Sequence, residues 1–405
     1  MENSIQQKTN WLTLALCFVT TIFEGLDLQS MGVAAPKIVA ELAIDSNEMG
    51  LIASASSVGL LIGALFGGMV SDYIGRKWVL IWSVVAFGTL SVLTPFAWDP
   101  NSLIAIRFGT GLGMGGALPM IIAIAAEAVD PKRRAGVVTM MYCATPIGGF
   151  IATFIALASD EWRNIFYVGG LAPLLLVPVL VKYLQESKVF TDAQQARNNT
   201  DNAPSISVSN ALFGEKRAMP TLYIWLGFLC SVAVLYLLLN WLPLLLVGKG
   251  FSSAQASKVQ MVFNVGGSTG ALLLGYLITR YSPRWIFAFV TVAIALALIS
   301  LAGLEHNMAY AILAGLVVGI FANGLVFLLY GQAGAYYPTR FRGTGVGSAV
   351  AVGRMGAIIG PLMAGVLLSA DVSPSQVLLY ILPLVLVAGG AIQLLFFCPK
   401  SESEE

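Results

Sequence analysis

Two apolar runs of the sequence are joined by the stretch Gly67-Gly68-Met69-Val70-Ser71-Asp72-Tyr73-Ile74-Gly75-Arg76-Lys77. Its glycines permit close approach of neighbouring helices. Asp72 can meet the positive N-terminal dipole of a neighbouring helix, and Arg76 and Lys77 suit the headgroup layer of a membrane. The stretch therefore predicts a tight turn between two membrane-spanning helices. An ordinary basic loop that caps a helix is the alternative.

The same pattern returns at a constant offset of 207 residues. The matched pairs are Gly68 with Gly275, Asp72 with Thr279, Lys77 with Arg284, Pro131 with Pro338, Arg133 with Arg340 and Gly136 with Gly343. All of them fall at junctions between an apolar run and a loop. An internal repeat of this length predicts two parallel halves, an organisation known among membrane transport proteins.

Composition places most of the chain in a bilayer. Of its 405 residues, 57% are hydrophobic and 11% are charged, whereas about a quarter are charged in an ordinary soluble domain. A spanning helix needs roughly 20 apolar residues, because it rises about 1.5 Å per residue through about 30 Å of hydrocarbon. The sequence offers twelve such stretches, at 11–36, 48–70, 78–98, 102–126, 136–158, 163–184, 219–246, 255–279, 285–303, 308–334, 344–369 and 375–397. We predict an all-α polytopic membrane protein with twelve transmembrane helices in two pseudo-symmetric six-helix halves.

The basic residues predict the orientation of the chain, because cytoplasmic loops carry an excess of Lys and Arg. One set of helix ends has sixteen basic residues, namely Lys8, Arg76, Lys77, Lys132, Arg133, Arg134, Lys182, Lys188, Arg197, Lys216, Arg217, Arg280, Arg284, Arg340, Arg342 and Lys400. The opposite set has four, namely Lys37, Arg163, Lys249 and Lys258. Both termini are therefore predicted to lie in the cytoplasm.

The longest polar stretch divides the chain. It runs from Gln185 to Arg217, is rich in Asp, Asn and Gln, and cannot bury a core. We predict an N-terminal six-helix bundle over 1–184, a cytoplasmic linker over 185–218 and a C-terminal six-helix bundle over 219–405.

Motifs of enzymes and of ATP-driven pumps are missing from the sequence. It has no Walker loop, no nucleophile elbow and no cluster of metal-binding residues. The cysteines lie singly in apolar runs, without the close pairing of a metal site or a disulfide framework: Cys17, Cys143, Cys230 and Cys398. We predict a protein that is not an enzyme, needs no cofactor or metal and binds no nucleic acid.

Four charged residues lie well inside the predicted spans: Glu24, Asp27, Arg107 and Arg354. A charge at that depth costs at least about 2.5–3.5 kcal/mol unless it is paired or hydrated. Glu24 and Asp27 are three residues apart and share one face of the first helix. Arg107 reaches a similar depth in the fourth helix, so the depths allow an ion pair. Snorkelling or purely structural charges are the alternative interpretation.

Arg354 stands apart from the other three charges. It lies about 15–18 Å into the eleventh helix, near the midplane, in a half whose spans contain no acid. A guanidinium binds a carboxylate through two parallel hydrogen bonds. We therefore predict that Arg354 binds an anion, whereas an intramembrane carboxylate of the first helix suits the exchange of a proton.

Several segments resemble one family of transporters. Residues 67–77 resemble the signature of the major facilitator superfamily. The acid-Gly-x-acid pattern Glu24-Gly25-Leu26-Asp27 resembles the first-helix motif of its aromatic acid:proton symporters, in which the first acid is usually Asp. Further resembling segments are Met141-Tyr142-Cys143, Pro146-Ile147-Gly148, Asn240-Trp241-Leu242-Pro243-Leu244-Leu245-Leu246-Val247 and Gly343-Thr344-Gly345-Val346-Gly347 through Gly353-Arg354. The resemblance covers essentially all twelve predicted helices.

The resemblance implies proton-coupled uptake, by alternating access, of 3-(3-hydroxyphenyl)propionate or a related hydroxylated aromatic acid. The implied proton-coupling residues are Asp27, Glu24 and Arg107, and the implied conformational-switch residues are Gly68, Asp72, Gly75, Arg76 and Lys77. The proton gradient is then the driving force. We expect a monomer in contact with membrane lipids.

An aromatic carboxylate needs a fixed cation, apolar or aromatic walls and one or two polar groups for ring hydroxyls. Arg354 is the predicted cation. Candidates for the other contacts are the rings of Tyr142, Trp241 and Tyr330 and the amides of Asn240 and Asn323. For each ring taken singly, helix packing or lipid contact is the alternative.

Two other transport functions remain open. A proton-driven exporter of drugs or metabolites from the same superfamily is the main alternative. Such exporters typically have a fuller Gly-Pro signature in the fifth helix, of which only Pro146, Gly148 and Gly149 are present. A uniporter would use the same fold without proton coupling, so its uptake would not depend on the proton gradient.

Overall fold

The computed structural model describes residues 10–130, 133–187, 190–191, 212–214, 217–303, 307–338 and 341–398. Over these ranges the chain forms α-helices that are joined by short turns. Most of the predicted linker lies outside the described ranges, as do the repeat residues Pro131 and Arg340.

The helices of the described ranges are α1 (Trp11–Leu42), α2 (Ser46–Ile74), α3 (Arg76–Leu93), α4 (Pro100–Glu127), α5 (Arg134–Ala158), α6 (Arg163–Tyr183), α7 (Ala218–Gly248), α8 (Ser253–Arg280), α9 (Pro283–Ala302), α10 (Met308–Tyr336), α11 (Arg342–Ser369), α12 (Pro374–Tyr380) and α13 (Leu382–Leu395). A short 3-10 helix, Thr94–Phe96, follows α3. Twelve segments of the described chain are long and apolar enough to cross a membrane, and the last of them combines α12 and α13. The prediction of an all-α fold with twelve spans is confirmed.

Two spans differ clearly from the prediction. Helix α1 continues past Pro36 to Leu42 and ends where Ala43 takes a positive φ of 51°. The prediction counted the residues that cross the hydrocarbon, whereas helical hydrogen bonding continues into the headgroup layer. The twelfth span breaks at Ile381, because Pro383 has no N–H to donate to a carbonyl of the preceding turn.

Side chains cap the starts of several helices. Asp99 Oδ1 accepts from the Ser102 amide at 2.9 Å at the start of α4, and Ser252 and Ser373 cap α8 and α12 in the same way. Hydrogen bonds from the Ser102 hydroxyl and amide hold the pKa of Asp99 below its ordinary value. These caps satisfy backbone N–H groups that have no intrahelical acceptor, so they fix where each helix starts.

Lys249 joins the ends of three helices. Its Nζ donates to the Ala302 carbonyl at the end of α9 and to the Ser375 hydroxyl in α12, each at 2.6 Å. Burial lowers the pKa of Lys249. The ammonium therefore links α7, α9 and α12 through hydrogen bonds.

Contacts divide the chain into two compact units, and the first comprises Met1–Ser30 and Ala55–Ala203. Within it, α3 packs against α4 and α6, and α4 packs against α5. Leu80, Phe87 and Ile121 are fully buried at the centre of its core. This unit holds three of the four charged residues that the sequence places inside the membrane.

The second unit comprises Met31–Ser54 and Pro204–Glu405. Within it, α8 packs against α10, and α7 packs against α11 and α13. The division falls inside the predicted linker, but it groups the end of α1 and the start of α2 with the later helices. The bundle boundaries drawn at 184 and 219 stay a prediction.

Close backbone approach explains why Met31–Ser54 belongs to the second unit. A Cβ on Gly32 would overlap the backbone of α7, and one on Gly50 would lie 3.2 Å from the Gly365 backbone of α11. The Ser54 hydroxyl donates to the Ile358 carbonyl of α11 at 3.0 Å. Only residues without a large side chain allow helices to meet at this distance.

Candidate functional site

Arg107 and Asp27 form an ion pair within the first unit. Arg107 Nη2 lies 3.1 Å from Asp27 Oδ2, and Nη1 donates to Oδ1 at 3.3 Å. Nη2 also donates to the Asp27 carbonyl at 3.3 Å, and Nε donates to the Ser56 hydroxyl at 3.1 Å. Arg107 is 1% exposed and Asp27 is 0% exposed. Because a buried charge is tolerated when it is paired and hydrogen bonded, each residue makes the burial of the other tolerable.

Glycines bring together the helices that carry this pair. Gly111 of α4 lies against Ser56 of α2, where a Cβ would overlap the Ser56 carbonyl. Gly25 of α1 lies against the backbone of Thr145 in α5. The glycine of the acid-Gly-x-acid pattern is therefore used for helix packing.

Glu24 is the second acid of α1 in this unit. It lies one helical turn before Asp27 and is 5% exposed. Both acids of the motif are therefore buried, and Arg107 pairs with Asp27. The predicted proton-coupling set of Glu24, Asp27 and Arg107 lies in one unit, and its role stays a prediction.

In the second unit, Arg354 of α11 has a neutral partner. Its Nη1 donates to the Tyr236 hydroxyl of α7 at 3.0 Å. Arg354 is partly buried, and Tyr236 is 9% exposed. A hydrogen bond to a phenol orients a guanidinium but does not neutralise its charge. The Tyr236 hydroxyl therefore helps to orient the guanidinium of Arg354.

Aromatic rings pack near Gly353, the residue before this arginine in α11. Gly353 precedes Arg354, and a Cβ at Gly353 would lie 3.3 Å from the Phe228 ring. Phe228 in turn meets Tyr330 edge to face, with ring centroids 5.1 Å apart and planes at 87°. The predicted wall residue Tyr330 therefore packs against Phe228, and a contact of Tyr330 with substrate stays a prediction.

The other predicted substrate contacts have different surroundings. Asn240 and Asn323 are each 6% exposed, and their Nδ2 atoms donate to carbonyls of their own helices, Tyr236 O at 2.8 Å and Gly319 O at 3.1 Å. Trp241 is fully buried, and its Nε1 donates to the Pro361 carbonyl at 3.1 Å. This is the position of a packing residue, and a contact of Trp241 with substrate stays a prediction.

Tyr142 lies in the first unit, on α5, and is partly buried. It follows Met141, which is fully buried in the core of that unit. Its predicted contact with substrate also stays a prediction.

The predicted switch residues form a charged cluster at the turn between α2 and α3. Arg76 forms an ion pair with Glu127 at the end of α4. Glu186 Oε1 accepts from the backbone N–H groups of Arg76 at 2.9 Å and Lys77 at 3.1 Å. This carboxylate caps the start of α3, where it meets the positive end of the helix dipole. The cluster ties the turn to α4 and to the segment after α6.

The remaining switch residues have backbone roles or lie in water-accessible positions. Gly75 has a positive φ of 93°, and a Cβ there would overlap the Glu186 carboxylate. A Cβ on Gly68 would meet open space. Asp72 is exposed at the end of α2. The requirement for glycine is therefore strict at Gly75 and absent at Gly68 in this conformation.

Sequence reasoning missed the neutral and acidic partners of the charged residues. Tyr236 carries no charge, but it lies about 18 Å from the Gly248 end of α7, and Arg354 lies about 22 Å from the Ser369 end of α11. Because those two ends lie on the same side of the membrane, the similar depths of Tyr236 and Arg354 were the signal that could have predicted this pair. Glu127 and Glu186 had no such signal, because they stand beyond the spans.

The family model described as Major Facilitator Superfamily matches residues 17–331 and 250–405. The chain is 42% identical over 386 residues to a 3-(3-hydroxy-phenyl)propionate transporter of Escherichia coli, a match that covers 95% of this chain and 93% of the relative. It is 30% identical to a 4-hydroxybenzoate transporter of Pseudomonas putida, over 94% of this chain and 92% of the relative.

Solved structures resemble the chain in fold. The crystal structure of a D-xylose-proton symporter matches with a TM-score of 0.74, over 97% of this chain and 99% of the symporter, at 16% sequence identity. At that identity the match shows the fold alone.

Proposed function

This chain belongs to the major facilitator superfamily, and we propose that it takes up a small aromatic carboxylate together with protons across the bacterial inner membrane. The observation that carries the proposal is the 42% identity, over 95% of the chain, to a 3-(3-hydroxy-phenyl)propionate transporter. A similar protein is named a gallate transporter. The proposed substrate is 3-(3-hydroxyphenyl)propionate or a related hydroxylated aromatic acid.

The proposed anion site is Arg354. A guanidinium is planar and carries five N–H donors, and a substrate carboxylate accepts two parallel hydrogen bonds from such a fork. Tyr330, which packs against Phe228, is the proposed aromatic wall. Tyr142, Trp241, Asn240 and Asn323 complete the proposed set of contacts with the ring and its hydroxyl.

The proposed proton-coupling site is the ion pair of Asp27 and Arg107, with Glu24 one turn away. In the ion pair, the Asp27 carboxylate and the Arg107 guanidinium neutralise each other. Protonation of Asp27 would remove its negative charge, and the Arg107 guanidinium would then need another anion as its partner. Binding of a proton and a change in the partners of Arg107 are thereby linked.

The same proposal includes the energy source, the oligomeric state and the orientation of the protein in the membrane. The proton gradient drives accumulation, and no cofactor takes part. The protein works as a monomer among membrane lipids, with both termini in the cytoplasm. The cluster of Arg76, Glu127 and Glu186 acts in the change between inward- and outward-open states by alternating access.

Uptake in right-side-out membrane vesicles that lack other aromatic-acid carriers tests the proposal. We expect labelled 3-(3-hydroxyphenyl)propionate to accumulate when the outside is acidic and to stop accumulating when a protonophore is added. Uptake that ignores the protonophore would indicate a uniporter. Loss of preloaded substrate on acidification would indicate the exporter.

A further inference from the structure

A buried amide in helix α8 has no hydrogen-bond partner within the described ranges. Asn264 is 1% exposed, and neither its Oδ1 nor its Nδ2 is hydrogen bonded to a described residue. Buried polar groups in folded proteins are nearly always hydrogen bonded, and no bulk water competes inside a membrane. Because the amide oxygen and the amide nitrogen both lack a hydrogen-bond partner, this side chain can form hydrogen bonds with a ligand.

Asn264 lies on an inward face of α8. The exposed face of this helix carries Val265, Thr269, Leu272 and Tyr276. The face against α10 carries Val259, Phe263, Gly266 and Gly270. At about 100° per residue, Gln260, Asn264 and Ala271 share a third face, about 130° from the exposed one. All three are buried, and α8 also packs against α7.

The amide also lies at the depth of the proposed anion site. Counted from the same side of the membrane, Asn264 is about 17 Å along α8, Tyr236 about 18 Å along α7 and Arg354 about 22 Å along α11. All three residues belong to the second unit. The unsatisfied amide and the arginine therefore lie in one layer of this unit.

Other amides in this unit are already engaged. Asn240 Nδ2 donates to the Tyr236 carbonyl, and Asn323 Nδ2 donates to the Gly319 carbonyl. Asn264 instead has both a donor and an acceptor available. A phenol hydroxyl can donate to Oδ1 or accept from Nδ2, whereas an unsubstituted ring can do neither.

We propose that Asn264 binds the ring hydroxyl of the aromatic acid whose carboxylate binds Arg354. The inference rests on the proposed function and deepens it, because it names the residue that selects hydroxylated rings. An unhydroxylated acid leaves both amide atoms unsatisfied, so it binds more weakly. The residue determines specificity and takes no part in proton coupling.

The test compares 3-(3-hydroxyphenyl)propionate with 3-phenylpropionate, which lacks the hydroxyl. Equilibrium binding of both acids is measured on the purified full-length protein and on Asn264→Leu, an apolar residue of similar size. We expect the variant to bind the hydroxylated acid about tenfold more weakly and 3-phenylpropionate with unchanged affinity. Because leucine removes an unsatisfied polar group, the substrate-free variant should also melt at a higher temperature than the unmodified protein.

Thr269→Val is the matched control on the same helix. Thr269 is exposed, and its hydroxyl bonds within α8 to the Val265 carbonyl at 2.9 Å, so affinity for both acids should stay the same. Equal weakening of both acids by Asn264→Leu, together with a lower melting temperature, would show a structural role and overturn the proposal. Unchanged discrimination would overturn it as well, because the hydroxyl would then be recognised elsewhere.

Failure of the inference can be told apart from failure of the proposed function. If the unmodified protein binds both acids equally, hydroxyl selection by Asn264 is wrong while aromatic-acid transport stands. If the unmodified protein binds neither acid, the proposed function is wrong and the inference falls with it.

Discussion

The two arginines inside the membrane differ in the partner that each one holds. Arg107 is 1% exposed and faces a carboxylate at 3.1 Å, whereas Arg354 is partly buried and faces a phenol at 3.0 Å. A guanidinium matched by a carboxylate responds to the protonation of that acid. Under the proposed function, proton coupling belongs to the first unit and anion binding to the second.

The largest effect is expected from Asp27→Asn. The amide keeps the shape of the side chain but cannot carry a proton, so accumulation driven by the proton gradient should be abolished while exchange of internal for external substrate continues. Uptake and counterflow in proteoliposomes measure the two. The role of Asp27 is wrong if the variant still concentrates substrate.

A double variant shows whether accumulation is lost because proton coupling is lost or because a buried charge is left unpaired. Asp27→Asn alone leaves a buried guanidinium without its carboxylate, a defect that typically costs about 3–5 kcal/mol of stability. Asp27→Asn with Arg107→Gln removes both charges and should recover stability, measured as melting temperature, but not accumulation. Recovery of accumulation would show that the ion pair is only structural.

The next largest effect is expected from Arg354. Arg354→Lys keeps the charge but loses the two parallel hydrogen bonds, so affinity for the acid should fall about tenfold or more, and Arg354→Ala should nearly eliminate binding. Equilibrium binding to the purified protein measures both. Normal affinity in both variants would make Arg354 structural and direct attention to Arg107.

A smaller effect is expected from Tyr236→Phe. The change removes the hydroxyl that orients Arg354 and leaves the ring, so the affinity for the acid should fall about three- to tenfold. Affinity for a neutral analogue should not change. If the variant weakens the acid and the neutral analogue alike, the hydroxyl acts on packing and not on the arginine.

The smallest effect on affinity is expected at the turn between α2 and α3. Arg76→Gln breaks the ion pair with Glu127, which lies about 30 Å along α4 from Arg107. The transport rate should therefore fall several-fold while the equilibrium affinity stays within about twofold. Asp72→Asn should behave in the same way. A large loss of affinity at an unchanged rate would contradict a role in switching.

The fold and the charged residues were predictable from the sequence because each leaves a one-dimensional signal. Twelve apolar runs predict twelve spans, and four charges inside those runs stand out against the cost of burying them. The depths of Asp27 and Arg107 along their helices also allowed the ion pair that the structure forms.

The partners of those charges were not predictable, because they depend on helix packing. Tyr236 and Asn264 are neutral residues in apolar runs. They differ from other tyrosines and asparagines only in what their side chains face in the folded chain. Trp241 was a candidate by its segment, yet its indole N–H is bonded to the Pro361 carbonyl. Residue type and spacing along the sequence predict how deep a side chain lies in the membrane. Which residues it contacts depends on the neighbouring helices.

The most direct test of the account compares a carboxylate with its neutral amide. Binding of 3-(3-hydroxyphenyl)propionate and the corresponding propanamide is measured on the unmodified protein, on Arg354→Ala and on Asp27→Asn. The account predicts that the acid binds the unmodified protein at least about tenfold more tightly than the amide. This preference should disappear in Arg354→Ala and persist in Asp27→Asn. A preference that persists in Arg354→Ala would contradict the assignment of the anion site to the second unit.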